Sequence, residues 1–109
     1  MKRLAFKMKL KSGCRDEYIR RHNAIWPDLK ALLSASGVRD YSIYLDEATN
    51  TLLAVQSQEG EQTSQDLGSN PIVQRWWKYM SDIMETNPDN SPISVSLEEV
   101  FSHGLSSGV

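Results

Sequence analysis

Leu4, Phe6, Met8 and Leu10 alternate with Lys7, Lys9 and Lys11 near the start of the chain. A two-residue period predicts a strand with one apolar and one lysine-bearing face. Ser12-Gly13 punctuates it, and the period then lengthens. Tyr18, His22, Ile25, Trp26, Leu29, Leu32 and Leu33 recur at helical three-to-four spacing. Pro27 has no N–H to donate and crowds the carbonyl of Asn23, so the pattern predicts one helix to about Asn23 and a second from Pro27, ended by Gly37.

Tyr41, Ile43 and Leu45 then share one face of a predicted strand over Val38–Asp46, with Ser42 and Tyr44 on the other, and the β-rich stretch Thr51–Gln58 supplies a partner across a hairpin at 47–50. Residues 57–70 are polar and offer only Leu67 for burial, so any helix there is weakly anchored. Asn70-Pro71 is an N-cap and first-turn pair, and Ile72, Val73, Trp76, Trp77, Met80, Ile83 and Met84 build a broad apolar helical face behind it. Turn residues fill 86–92, and Val95, Leu97 and Phe101 predict a last strand over residues 93–101. The order β-α-β-β-α-β points to an α+β, ferredoxin-like antiparallel sandwich with both helices on one face. The other face would carry Tyr44, Ala54 and Val100, and a second copy packed face to face would hide it.

The 109 residues fit one domain, taken as 1–103 with a flexible tail at 104–109, and a core of that size buries about two-thirds of the chain's surface. Twelve basic against 14 acidic residues leave a net charge of −2, which argues against a nucleic-acid or anionic-membrane partner. The short apolar runs lack the length of a spanning helix, and no signal-peptide core follows Met1, so a cytoplasmic protein is expected. Cys14 is the only cysteine, a bystander thiol.

Two histidines and one cysteine cannot supply three nitrogen or sulfur ligands for a catalytic metal, and neither a nucleophile elbow nor a phosphate loop occurs. Proton transfer remains, and histidine is its natural agent because it titrates near neutrality. Tyr18 and His22 lie four apart, on one helix face beside the break at Pro27. Core-edge residues with wet polar tips meet the same spacing, so both readings stand at this point. His103 sits beside the tail and is expected to be solvated. Trp76 and Trp77 point about 100° apart on a helix, so one should line an edge or pocket, where an indole can pack on a sugar ring; plain core and dimer packing fits them too. Arg20-Arg21 and the three lysines read as solvated faces, Asp28 as a first-turn charge, and Asp82 and Asp89 as acids with no partner visible in the sequence.

Three longer words are more specific. Glu17-Tyr-Ile-Arg-Arg-His-Asn-Ala-Ile-Trp-Pro27, Tyr41-Ser-Ile-Tyr-Leu-Asp46 and Gln74-Arg-Trp-Trp-Lys-Tyr-Met80, continued by Asn87-Pro-Asp-Asn-Ser-Pro92, closely resemble the L-rhamnose mutarotase family over about residues 1–102. The polar segment 56–69 departs from the family's more apolar pattern. The resemblance implies a cytoplasmic, cofactor-free, metal-free homodimer of the dimeric α/β-barrel type that interconverts the α and β anomers of L-rhamnose. It places the proton donor at His22 and the sugar-binding positions at Tyr18, Tyr41, Trp76 and Trp77. Another small-ligand isomerase or monooxygenase of the same architecture would share the fold but not these words. An RNA-recognition module would need aromatic residues in a basic sheet, which this acidic chain lacks.

Overall fold

The computed structural model describes residues 2–60 and 67–103. Strand β1 (Lys2–Lys9) leads to helices α1 (Arg15–Asn23) and α2 (Pro27–Ala35), the hairpin β2 (Val38–Asp46) and β3 (Thr51–Gln58), helix α3 (Pro71–Met80) and a short β4 (Ser94–Leu97). The sheet runs β2-β3-β1-β4, antiparallel at every pairing. This is the ferredoxin-like order expected, with the first helix split in two at Pro27. Among the described residues no helix is long and apolar enough to cross a membrane.

The pleat sorts the strand residues into two faces. Pairing places Phe6 between Ala54 and Ser96 and sets Ile43 beside Ala54, so these side chains share one face with Met8, Leu52 and Leu45. Tyr18 of α1, Met80 of α3 and the following Ile83 and Met84 pack onto that face, where Phe6, Met8, Leu52 and Ala54 are all buried. A second cluster of Leu29, Leu67 and Val73 joins α2 to α3. Gly37 is required twice over between α2 and β2: its φ is +97°, and a Cβ there would collide with the carbonyl oxygen of Glu59.

Three expectations change. Ala54 belongs to the covered face and is 0% exposed, because its partners Phe6 and Ile43 both point toward the helices. The open face instead carries Tyr44, Leu53, Val55, Val95 and Leu97. The last strand stops at Leu97, since its partners on β1 extend only from Ala5 to Met8, and Val100 and Phe101 lie beyond it, exposed. Helix α3 ends at Met80, yet Ile83 and Met84 stay buried because a turn returns the chain to β1, where Met84 bridges Leu10 and Lys11 donates to the Ile83 carbonyl. The expectations for the middle of segment 57–70 and for the tail fall on 61–66 and 104–109, outside the described residues.

Candidate active site

Helix α1 stops where the sequence requires. Pro27 offers no N–H to continue the ladder, and Trp26 before it takes an extended backbone (φ −62°, ψ 132°). His22 therefore sits in the last turn of α1, and Trp26, just before α2, packs its ring against Trp76 and Tyr79 of α3. Helix α3 starts where Asn70 accepts a hydrogen bond from the Ile72 N–H at 2.9 Å, a cap that fixes the phase of Trp76, Trp77 and Tyr79.

A cavity of about 1060 Å³ lies between these helices and the covered face of the sheet. Tyr18, His22, Tyr41, Trp76 and Trp77 all line it, so every residue singled out for the site comes to one place. The Tyr18 and His22 rings stack with centroids 4.2 Å apart, one helical turn from each other. Trp76 meets His22 edge-on at 5.5 Å, and its other neighbours are Trp26 at 5.1 Å and Tyr79 at 5.5 Å. Trp76 packs against both hydrophobic clusters, whereas Trp77 packs only against the one between α2 and α3. A Cβ on Gly68 would come within 2.9 Å of the Trp77 ring, so glycine there makes room for the indole. The far end of the cavity is polar, lined by Thr86, Asn87, Asn90 and Ser91 of the turn-rich loop.

The protonation states follow from these surroundings. Burial lowers the His22 pKa below its ordinary 6.5, partly opposed by the hydrogen bond to the Tyr18 carbonyl at 3.1 Å. A carbonyl only accepts, so Nδ1 carries the proton and Nε2 is the basic nitrogen of the neutral ring. Burial raises the Tyr18 hydroxyl, and the nearby Tyr41 adds to this. Tyr41 is 37% exposed toward the cavity it lines, yet the protein crowding its hydroxyl pushes the pKa up to about 12. Both phenols are neutral at pH 7.

The sequence reading of Arg20-Arg21 holds for Arg20 alone, whose side chain is exposed and pairs with Glu17. Arg21 is buried, and Asp82 is its partner from 61 residues away. Asp89 also has a partner, accepting from Ser91 within the 86–92 loop. Asp28 stands in the first turn of α2, and His103 is exposed. Trp26 and Tyr79 contact Trp76 without lining the cavity, and the sequence reading singles out neither for the site. Their signals were the extended residue forced before Pro27 and the three-residue spacing from Trp76 to Tyr79.

The family model described as L-rhamnose mutarotase matches residues 3–103. The L-rhamnose mutarotase of Bacteroides thetaiotaomicron is 66% identical over 101 residues, 93% of this chain and 97% of that protein. That of Phocaeicola vulgatus is 63% identical over the same shares. The crystal structure of L-rhamnose mutarotase from Formosa agariphila superposes with a TM-score of 0.89 at 53% identity, covering 95% of this chain and all of that one. With its fold and its sequence both in agreement with these proteins, the chain belongs to the L-rhamnose mutarotase family.

Proposed function

We propose that this protein is an isomerase that interconverts the α and β anomers of L-rhamnose in the cavity between the sheet and α1 and α3, with His22 moving the proton. The observation that carries this reading is the fixed tautomer of His22. Its Nδ1–H is committed to the Tyr18 carbonyl, and its lowered pKa leaves Nε2 free to accept a proton at neutral pH. Opening the pyranose requires the C1 hydroxyl to lose a proton while the ring oxygen gains one. Neutral His22 takes the C1 hydroxyl proton while a solvent water protonates the ring oxygen; the C1–C2 bond rotates in the open aldehyde, and on reclosure the hydroxide left by that water removes the proton from the C5 hydroxyl as the imidazolium returns its proton to O1. The donor and base roles are thus two halves of one reversible step. The neutral hydroxyls of Tyr18 and Tyr41 hydrogen-bond sugar oxygens, and the indole of Trp76 packs on the C–H face of the ring.

The reaction uses only proton transfers and proceeds without metal or cofactor. The protein works in the cytoplasm as a homodimer joined through the open sheet face, where Tyr44 is 61% and Val95 51% exposed. The test is saturation transfer between the anomeric protons of L-rhamnose, using chelator-treated protein. Exchange faster than in buffer is expected; a buffer rate at micromolar protein would refute the function, and activity returning only with added metal would refute the cofactor-free mechanism.

A further inference from the structure

Arg21 sits next to His22 in α1 but faces the end of α3. Its Nε donates to Glu17 Oε2 at 2.6 Å, its Nη1 to the Tyr79 carbonyl at 2.7 Å and to Asp82 Oδ1 at 2.8 Å, and its Nη2 to Asp82 Oδ2 at 3.1 Å. The three partners stand on three stations: α1 one turn back, the last turn of α3, and the chain just past its end. Only the planar fork of a guanidinium reaches all of them, and a lysine ammonium would give up part of the set. The guanidinium also lies 4.5 Å above the Tyr79 ring. Tyr79 in turn touches Trp26 and Trp76, each with centroids 5.5 Å away, and Trp76 meets His22 in a T-shaped contact.

We propose that Arg21 is a positioning residue for the anomer exchange: it clamps α1 to the C-terminal end of α3, presses Tyr79 against the indoles and thereby sets Trp76 against His22. This rests on the proposed function and adds to it a residue that touches no substrate. The Arg21 side chain is only 9% exposed, while its carboxylate partners keep 66% (Asp82) and 34% (Glu17) of theirs. The wet acids leave the ion pairs a minor source of stability, so the packed fork and the ring beneath it are what hold the two helices in register. A comparator exists at the other end of the molecule. Arg39 pairs with Glu59 and donates to the Ser34 carbonyl near the end of α2, but it lines no part of the cavity.

Arg21→Lys and Arg39→Lys should therefore differ in kind. A shift of about 1 Å in a supporting group can cost about 10²-fold, so Arg21→Lys, which keeps the charge and loses the fork, should exchange L-rhamnose anomers about 10-fold more slowly well below its melting temperature. Its near-UV circular dichroism should change as the Tyr79–Trp76 contact relaxes. Arg39→Lys should keep both the rate and the aromatic signal. Asp82→Asn, a change at an exposed acid that the fold tolerates, should move rate and signal in the direction of Arg21→Lys by a smaller factor. Wild-type rate and aromatic signal in Arg21→Lys overturn the proposal; if that variant does not fold, the same result in Asp82→Asn overturns it. A wild-type protein that accelerates no exchange refutes the proposed function instead. The aromatic signal then decides the clamp alone, a change supporting it and constancy overturning it.

Discussion

Leu52 and Leu53 are the same residue, adjacent on one strand, and they live in different chemistry. Leu52 is 1% exposed beneath the helices, whereas Leu53, on the opposite face between Lys7 and Tyr44, is 38% exposed. The covered face forms a core and one wall of the cavity together. The open face carries Tyr44, Leu53, Val95 and Leu97, all of which stay exposed among the described residues. In the proposed function a sheet with one helical layer separates two tasks, proton chemistry on the helical side and association on the other. Neither task needs the residues of the other, and that independence can be broken by experiment.

The largest effect on stability is expected from Leu52→Ala. Deleting a buried leucine costs about 2–5 kcal/mol, whereas Leu53→Ala should cost about 0.5 kcal/mol or less in the monomer. Thermal or urea unfolding checks this, and equal losses would erase the distinction between the faces.

These two leucines also mark where the sequence stops being readable. Strand β1 alternates apolar with lysine, so its faces are legible directly, and β2 is nearly as clear. Strand β3 reads Leu52-Leu53-Ala54-Val55, apolar on both sides, so nothing in the pattern says which set points inward, and the expected open-face position of Ala54 differs from its buried one. Only its register against β1 and β2 decides. Within the site, Tyr18 and His22 are legible because four-residue spacing is a local rule, and Trp76-Trp77 because two adjacent indoles cannot share one stripe. The Arg21 clamp is not legible. Its partners Tyr79 and Asp82 come from α3 and the turn after it, and no local pattern distinguishes Arg21 from Arg20. The proposed sugar-binding roles of Tyr18, Tyr41, Trp76 and Trp77 rest on resemblance to a family rather than on periodicity.

Next in size is the open face. Leu53→Glu places a charge in the proposed dimer interface, and since a stable interface needs roughly 1,600 Å² of well-packed surface, association should weaken by at least about tenfold, or 1.4 kcal/mol. Sedimentation should move toward the 12.4 kDa monomer while the folded monomer keeps His22 and its cavity. An unchanged assembly would place the interface elsewhere.

Trp76→Ala and Trp77→Ala sharpen the comparison inside the covered face. Trp76 touches His22, and Trp77 fills the space beside Gly68. Loss of Trp76 should mainly weaken sugar binding and slow exchange, and loss of Trp77 should mainly lower the melting temperature. Identical profiles for the two variants would contradict the division.

The smallest effect expected is a pH dependence of stability. Burial lowers the His22 pKa below 6.5, so between that value and its folded pKa the unfolded chain binds more protons than the native one. The stabilisation is present above pH 6.5 and is lost as pH falls through the lower folded value. Glu17 and Asp82 act further down, because their arginine partners hold both carboxyls below their ordinary values, Glu17 at about 2. Their contribution is complete above about pH 4.5 and is lost as pH falls toward 2. Replacing His22 with Gln should remove the upper of these two slopes and leave the lower; an unaltered upper slope would assign it to another group.

The central claim is that His22 moves the proton. It is tested most directly by saturation transfer between the anomeric protons of L-rhamnose, comparing wild type with His22→Ala across pH 5 to 9. A positioned acid–base group contributes about 10²- to 10⁴-fold, so His22→Ala should lose that factor while keeping its fold. The wild-type rate should rise with pH to a plateau, with a midpoint below 6.5, as the imidazole becomes neutral. Wild-type exchange in a folded His22→Ala protein would contradict the account.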